Sequence, residues 1–159
     1  MQIRQATPGD AAELVRLRAV MLQSFPQPDW NDDWREPARK TLVRRLSEPE
    51  PTMAAFVVDR TGGAGGGTGL AACAVGIIEE RLGNPGNPGG LVGYVFSVVT
   101  DPDHRRQGYS RGCMTALLGW FRSRGVGAVD LRASQDGEPM YESLGFRRTA
   151  DPAMRLRVT

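Results

Sequence analysis

Apolar residues recur at helical spacing near the start of the chain, between polar and proline-rich stretches. Thr7 can cap a helix, Pro8 suits its first position, and Asp10 favours the positive end of its dipole. The apolar positions that follow recur at helical spacing: Ala11, Leu14, Val15, Leu17, Met21, Leu22 and Phe25. This spacing predicts a helix with one buried face that ends before Pro26, and a second helix is predicted over about Pro37–Ser47.

Runs rich in β-branched and aromatic residues occupy much of the remaining chain and predict strands. In chain order these strands are Ile3–Ala6, Thr52–Arg60, Leu70–Glu80, Leu91–Thr100, Val126–Ala133, Phe146–Thr149 and Met154–Val158. The Gly-rich stretch Thr61–Gly69 predicts a flexible hairpin loop, and Asn84–Gly90 predicts another loop. Helices are predicted over about Tyr109–Arg124 and Glu138–Leu144. The order β-α-α-β-β-β-α-β-α-β-β predicts one α/β (α+β) domain over residues 1–159.

At one place a β-rich run gives way to a basic, glycine-containing loop that begins a helix. The stretch is Val98-Val99-Thr100-Asp101-Pro102-Asp103-His104-Arg105-Arg106-Gln107-Gly108-Tyr109-Ser110-Arg111. Free N–H groups and the dipole at a helix start favour an anion there. Gly108 allows close approach, while Arg105, Arg106 and Arg111 add positive charge. The pattern therefore predicts a phosphate or pyrophosphate site without a nucleotide P-loop signature. The alternative is a glycine-started helix with a solvated basic turn.

Two segments carry a resemblance to a known family. The run from Arg105 to Ser110 resembles motif A of the GNAT acetyltransferase superfamily, Arg/Gln-x-x-Gly-x-Gly/Ala, with Ser110 in the last position. The segment Ala133–Phe146 resembles the family's second motif, with Ser134 where many members carry asparagine. Both motifs occur at the family's spacing. The resemblance implies a GNAT-type mixed central sheet and acetyl-CoA as cosubstrate, with no metal.

The resemblance also implies roles for individual residues. Tyr141 would protonate the departing thiolate, because a phenol with an ordinary pKa of about 10 is protonated at neutral pH. The alternative is that Tyr141 only packs at the end of the last helix. The backbone N–H of Val98 would stabilise charge that develops on the thioester oxygen. The residues implied to bind the cofactor are Val98, Val99, Thr100, Arg105, Arg106, Gln107, Gly108, Tyr109, Ser110, Arg111 and Ser134.

The acceptor site is less defined. The resemblance places it between the connection of the first two helices and the central strands. Trp30 and the acids near it could recognise a cationic amine, but Trp34 could equally be a core anchor for the second helix. Tyr94 occupies a position where some members carry a glutamate base. Glu79 could act through water, although exposed carboxylates are usually only solvated. Trp30, Tyr94 and Glu79 are therefore the candidate acceptor-binding residues.

Composition and charge exclude other classes of protein. The formal net charge is only +2, and the arginines are dispersed, so no clustered basic face indicates nucleic-acid binding. Cys73 and Cys113 lie in apolar runs outside any CxxC pattern, which predicts buried thiols in a reducing compartment. Neither a secretory leader pattern nor an apolar run of about 20 residues is present, so we expect a cytoplasmic protein without membrane partners.

The predicted function is transfer of an acetyl group from acetyl-CoA to a primary amine of a small molecule or peptide by direct attack. The alternative is a non-catalytic domain of the same fold that binds acyl-CoA as a sensor. The expected partner is therefore an amine acceptor rather than nucleic acid, and homodimer formation is left open.

Overall fold

The computed structural model of the chain describes residues 1–61 and 68–159. Its elements follow in the order β1 (Arg4–Gln5), α1 (Ala11–Gln23), α2 (Arg35–Leu46), β2 (Met53–Asp59), β3 (Leu70–Glu80), β4 (Leu91–Thr100), α3 (Tyr109–Ser123), β5 (Ala128–Leu131) and α4 (Glu138–Ser143). Single 3₁₀ turns, Pro8–Asp10 and Pro102–His104, precede α1 and α3. No helix within the described ranges combines the length and apolar character needed to cross a membrane.

A five-stranded mixed sheet forms the centre of the protein, in the spatial order β1-β2-β3-β4-β5. The first four strands pair antiparallel with their neighbours, and β5 joins β4 in parallel. The predicted fold class is confirmed. β2 and β3 form an antiparallel pair, but the flexible loop predicted over Thr61–Gly69 lies, for residues 62–67, outside the described residues.

Helices cover both faces of this sheet because its strands alternate apolar side chains between two cores. On one face, α3 packs Leu117 and Phe121 against Ala72, Ala74 and neighbouring residues. On the other face, the side chains that pack together include Leu14, Leu17, Val57, Cys73 and Val99. The two cysteines lie in opposite cores and are buried free thiols, as predicted. Burial raises the pKa of the Cys113 thiol to about 12.

The closing strand pair predicted over Phe146–Thr149 and Met154–Val158 is wrong. Residues 145–159 contain no strand, so the observed order is β-α-α-β-β-β-α-β-α. The apolar residues of the last run are strongly exposed, at 88%, 83% and 84% for Met154, Leu156 and Val158. Their alternation with arginines suits a strand, but a strand also needs a paired edge, and this segment pairs with none.

Two glycines allow α3 to lie close to the sheet. A Cβ atom added at Gly76 on β3 would come within 2.8 Å of the Phe121 ring, and one added at Gly93 on β4 within 2.7 Å. Phe121 is fully buried above them. Because such distances are below ordinary contact, any side chain at these positions would push the helix away from the sheet.

We expect Gly93→Ala to lower the free energy of unfolding by about 1–3 kcal/mol, because the added methyl group overpacks the core against Phe121. Gly119→Ala is the matched control, since Gly119 lies on α3 and an added Cβ meets nothing within 4 Å. That control should raise the stability by roughly 0.5–1 kcal/mol. Urea unfolding followed by circular dichroism measures both changes. Equal effects of the two substitutions would contradict the proposed packing.

Candidate functional site

β4 pairs with β3 on one side and with β5 on the other, and the pairing with β5 ends halfway along β4. Its register with β3 shifts between Val75 and Gly76, which leaves Phe96 as an extra, bulged residue on β4. On its other side, β4 pairs with β5 from Val92 to Val95. Within the described part of the chain no further pairing follows, so the two parallel strands separate after Val95. A cleft therefore opens between the end of β4 and β5.

The hydrogen-bond pattern shows which backbone groups face this cleft. The N–H of Asp101 donates to the carbonyl of Ala71 at 2.8 Å. Residue pairs that exchange hydrogen bonds alternate along antiparallel strands, so Val99 also bonds towards β3. Val98 and Thr100 consequently direct their N–H and C=O groups away from β3, into the cleft. Of the three strand residues implied to bind the cofactor, the structure brings these two to the cleft, while the Val99 side chain is buried.

The loop after β4 has the backbone geometry of an anion site. Arg106 and Gly108 both adopt positive φ angles, of 65° and 77°, and a non-glycine residue in this region is under local strain. An added Cβ atom at Gly108 would meet nothing within 4 Å, so the space in front of the loop is open. The N–H of Gly112 donates to Gly108 O at 3.0 Å. The N–H groups of the three preceding residues lie in the first turn of α3 and are available to a ligand.

The charged and hydroxyl side chains around this loop differ in whether they bond to other residues of the chain. Arg105 and Arg106 are exposed and form no ion pair with the described residues. Arg111 instead donates a hydrogen bond to the Ser143 hydroxyl on α4, which links the two helices. The hydroxyl oxygens of Thr100 and Ser110 are 2.6 Å apart, so a hydrogen bond joins the end of β4 to the start of α3. Serine at position 110 thus adds a contact that glycine or alanine would not make.

Asp101 anchors the point where β4 ends and the loop begins. Its carboxylate is nearly buried, at 4% residue exposure, and Arg16 binds both of its oxygens at 3.0 and 2.9 Å. Arg60 donates to the same carboxylate, and Arg16 also donates to Leu70 O at 2.9 Å. The network joins α1, the start of β3 and the end of β4. The sequence motif placed Asp101 only in a turn, since its partners are remote along the chain.

Tyr141 lies on α4 with its ring packed in the same core as α3. It is 9% exposed, and Phe146 approaches its ring edge-on at 5.9 Å between centroids. Burial raises the pKa of the phenol, so Tyr141 stays protonated at neutral pH. Its hydroxyl forms no hydrogen bond with the described residues, yet no buried side-chain oxygen or nitrogen there lacks a partner, so solvent reaches this oxygen. Val98 packs partly buried against the same core.

A turn before α4 fixes the position of this ring. The Ser134 hydroxyl oxygen accepts a hydrogen bond from the Gly137 N–H at 3.1 Å. A Cβ atom added at Gly137 would lie 3.0 Å from the Tyr141 ring. Ser134 keeps its hydroxyl proton for another partner, because it acts here as an acceptor.

The candidate acceptor-binding residues are already in contact with other parts of the chain. Trp30 packs edge-on against Trp34 at 5.9 Å. The Arg35 guanidinium lies 5.5 Å from the centre of the Trp34 ring, and Arg35 donates to Asp32 at 2.7 Å. For Trp34 and Asp32, the cation that such groups favour is therefore supplied by Arg35 of the same chain.

Tyr94 and Glu79 lie on neighbouring strands beside the α1 face of the sheet. Tyr94 on β4 is opposite Ile77 on β3, and Ile77 packs into the core beneath α1. Glu79 is two residues further along β3 on the same face. Arg81 donates to its carboxylate at 3.0 Å. No hydrogen bond, ion pair or aromatic contact joins Tyr94 or Glu79 to Trp30 in the described part of the chain.

Comparison with known families and proteins places the chain's sequence and fold among acetyltransferases. The model of the acetyltransferase (GNAT) family matches residues 19–146. The chain is 38% identical over 55 residues to the [ribosomal protein bS18]-alanine N-acetyltransferase of Escherichia coli (strain K12), a match that covers 33% of this chain. The match spans only 37% of the length of that curated relative.

Solved structures resemble the chain over nearly its whole length. A predicted acetyltransferase from Clostridium acetobutylicum, crystallised with acetyl-CoA, superposes with a TM-score of 0.83 and 21% identity, covering 99% of this chain and 96% of that one. A GCN5-related N-acetyltransferase from Ralstonia eutropha JMP134 gives a TM-score of 0.79 and 21% identity, covering 98% and 97%. At these identities the likeness shows the fold.

We expect Asp101→Asn to lower the free energy of unfolding by about 3 kcal/mol, because it leaves two arginines facing a neutral amide in a nearly buried position. Asp103→Asn is the control: Asp103 also binds Arg60, but it is exposed, and solvent screens such pairs. It should change the stability little. Chemical denaturation of both variants measures the difference, and equal losses would show that Asp101 is not the anchor.

Proposed function

The chain belongs to the acetyltransferase (GNAT) family, and from this premise we propose that it transfers the acetyl group of acetyl-CoA to a primary amine. One observation carries the proposal. The open edge of β4, where Val98 and Thr100 present unpaired backbone groups, leads directly into the positively charged start of α3. A long cosubstrate with amide groups at one end and phosphates at the other is complementary to such a strip.

The chain's own groups divide the binding of acetyl-CoA into two parts. The backbone N–H and C=O groups of Val98 and Thr100 bind the amides of the pantetheine arm. The first-turn N–H groups of α3, together with Arg105 and Arg106, bind the pyrophosphate. Gln107, Gly108, Tyr109, Ser110 and Arg111 complete this pyrophosphate-binding loop and helix start. Val99 holds the strand against β3, and the Ser134 hydroxyl donates to the cofactor from the turn before α4.

Two groups assist the transfer itself. The neutral amine nitrogen forms a bond to the acetyl carbon, and the carbon–sulfur bond then breaks. The proton that the nitrogen loses passes to water, and water returns a proton to the Tyr141 oxygen after the thiol leaves. The N–H of Val98 donates to the carbonyl oxygen as negative charge develops there. Tyr141 donates its proton to the departing sulfur, and its raised pKa keeps that proton in place until it is needed. The released products are an acetylated amine and a free thiol.

The acceptor is a small molecule or a peptide. The name of the Escherichia coli relative describes acetylation of an alanine on a ribosomal protein, which makes a peptide amino group one candidate acceptor. A thiol-release screen with acetyl-CoA over amino acids, polyamines, aminoglycosides and peptides tests the proposal. Binding of acetyl-CoA without thiol release on any amine would overturn transfer and leave an acyl-CoA sensor instead.

Gly108→Ala should weaken binding of CoA by about tenfold, because the new methyl group would occupy the open space in front of the loop, where the ligand is expected. Gly125→Ala is the matched control. Gly125 follows α3 at its other end, with a φ of 76° beside the 77° of Gly108, and neither would meet protein atoms within 4 Å. Backbone strain is therefore similar in both variants. Calorimetric titration with CoA should find a loss only for Gly108→Ala, and equal affinities would contradict the site.

Tyr141→Phe should lower kcat for thiol release by about a hundredfold while the Kd for CoA stays within about twofold, because only the acidic proton is removed. Phe146→Leu serves as the control, since it loosens the packing around the Tyr141 ring but keeps the hydroxyl. It should retain most of the turnover. An unchanged kcat for Tyr141→Phe would remove the acid role.

A further inference from the structure

Arg18 reaches the β4 bulge from α1. Its Nη1 atom donates to the Ser97 hydroxyl oxygen at 2.7 Å and lies 3.4 Å from the Phe96 carbonyl oxygen. Its guanidinium carbon also lies 5.8 Å from the centre of the Phe96 ring. The side chain thus contacts the segment of β4 that departs from β5. The sequence offered only a weak signal, an arginine next to Leu17 on the apolar face of the predicted helix.

Arg18 differs from its neighbours in having no counter-charge. Arg16, one half-turn earlier on α1, binds Glu13 and Asp101. Arg18 has no carboxylate partner within the described residues, and the sequence of residues 62–67 contains only glycine and alanine. Burial lowers the pKa of its guanidinium, which reflects the energetic cost of the unpaired charge. A half-buried charge of this kind is normally offset by an anion.

The free part of the guanidinium is suited to such an anion. An arginine side chain carries five N–H donors, and the contacts of Arg18 use only Nη1. Nε and Nη2 have no acceptor among the described side chains and backbone. Because no buried side-chain nitrogen there lacks a partner, these two atoms are open to solvent. The Nε and Nη2 donors form the planar edge that binds a carboxylate through two parallel hydrogen bonds.

The position of Arg18 assigns this anion to the acceptor rather than to the cosubstrate. Arg18 contacts β4 from the face covered by α1, whereas α3 and Tyr141 pack on the opposite face. The loop that is proposed to bind phosphate begins at Asp101, after β4 has ended, whereas Arg18 contacts β4 itself. The alternative cation site near Trp34 is already filled by Arg35. Beside the bulge, the accessible charge is the positive charge of the Arg18 guanidinium.

We propose that Arg18 binds a carboxylate of the acceptor, so that the preferred acceptor is an amine that also carries an acid group. This inference rests on the proposed acetyl transfer and names the substrate class for the same site. A free amino acid and a peptide with an acidic residue both present this chemistry. In either case two hydrogen bonds between Arg18 and the carboxylate hold the amine of the acceptor towards the cleft. The protein should therefore prefer an acceptor with a carboxylate to the same acceptor with an amide.

Matched acceptor pairs test the inference. Thiol release is measured for free amino acids against their amides, and for peptides with glutamate against the same peptides with glutamine. The wild-type protein should prefer one carboxylate series by about tenfold or more in kcat/KM. Arg18→Gln should remove that preference by lowering the carboxylate rates, with amide rates and the Kd for CoA within about twofold. Arg18→Lys keeps the positive charge but loses the two parallel N–H donors of the guanidinium, so this variant should retain only part of the preference.

Arg39→Gln is the matched control, because Arg39 on α2 is partly exposed and paired with Glu36, so its removal should leave the preference unchanged. The inference is overturned if the wild-type protein acetylates both members of every pair equally. It is also overturned if Arg18→Gln lowers carboxylate and amide rates by the same factor, which is the result of a purely structural role. Failure of the proposed function is distinct from both outcomes, since no amine would then release thiol.

Discussion

The structure depends on the point where β4 stops pairing with β5. A parallel strand that loses its neighbour leaves backbone N–H and C=O groups without partners, and such groups are costly unless water or a ligand binds them. The bulge at Phe96 and the short length of β5 produce this separation. β4 stays in place because its other side is paired with β3 along its length except at the Phe96 bulge, and because Asp101 holds its end through two arginines. The unpaired groups therefore face a stable, open cleft.

Much of the fold could be predicted from local pattern. The sequence places β3 and β4 at the residues where the structure has them, and α3 begins at Tyr109 as predicted, because alternation and helix-start chemistry are local properties. Local pattern could not show that the last two predicted strands, Phe146–Thr149 and Met154–Val158, do not form. Met154, Leu156 and Val158 alternate as a strand does, but strand formation also depends on an available edge, which the alternation does not encode.

The site also contains features that local sequence predicts and features that only the fold produces. The basic loop and Gly108 are contiguous in the sequence, so their anion-binding character could be inferred without the fold. The bulge, the Asp101 network and the isolation of Arg18 depend on residues brought together by the sheet, so no motif contains them. The structure also changes the charge that we expect the acceptor to carry near the protein. The aromatic and acidic loop around Trp34 holds the chain's own arginine, while the accessible charge beside the bulge is a cation.

Residue-resolved hydrogen exchange in the absence and presence of CoA tests the central claim most directly, because it reports on individual backbone amides without requiring an acceptor. The account predicts that saturating CoA slows exchange by about tenfold or more at Val98, at Thr100 and in the first turn of α3. Amides of β1 and β2, which β3 separates from β4, should change little. Unchanged exchange across residues 98–111, with protection appearing elsewhere, would contradict the claim that this strand, loop and helix start form the cofactor site.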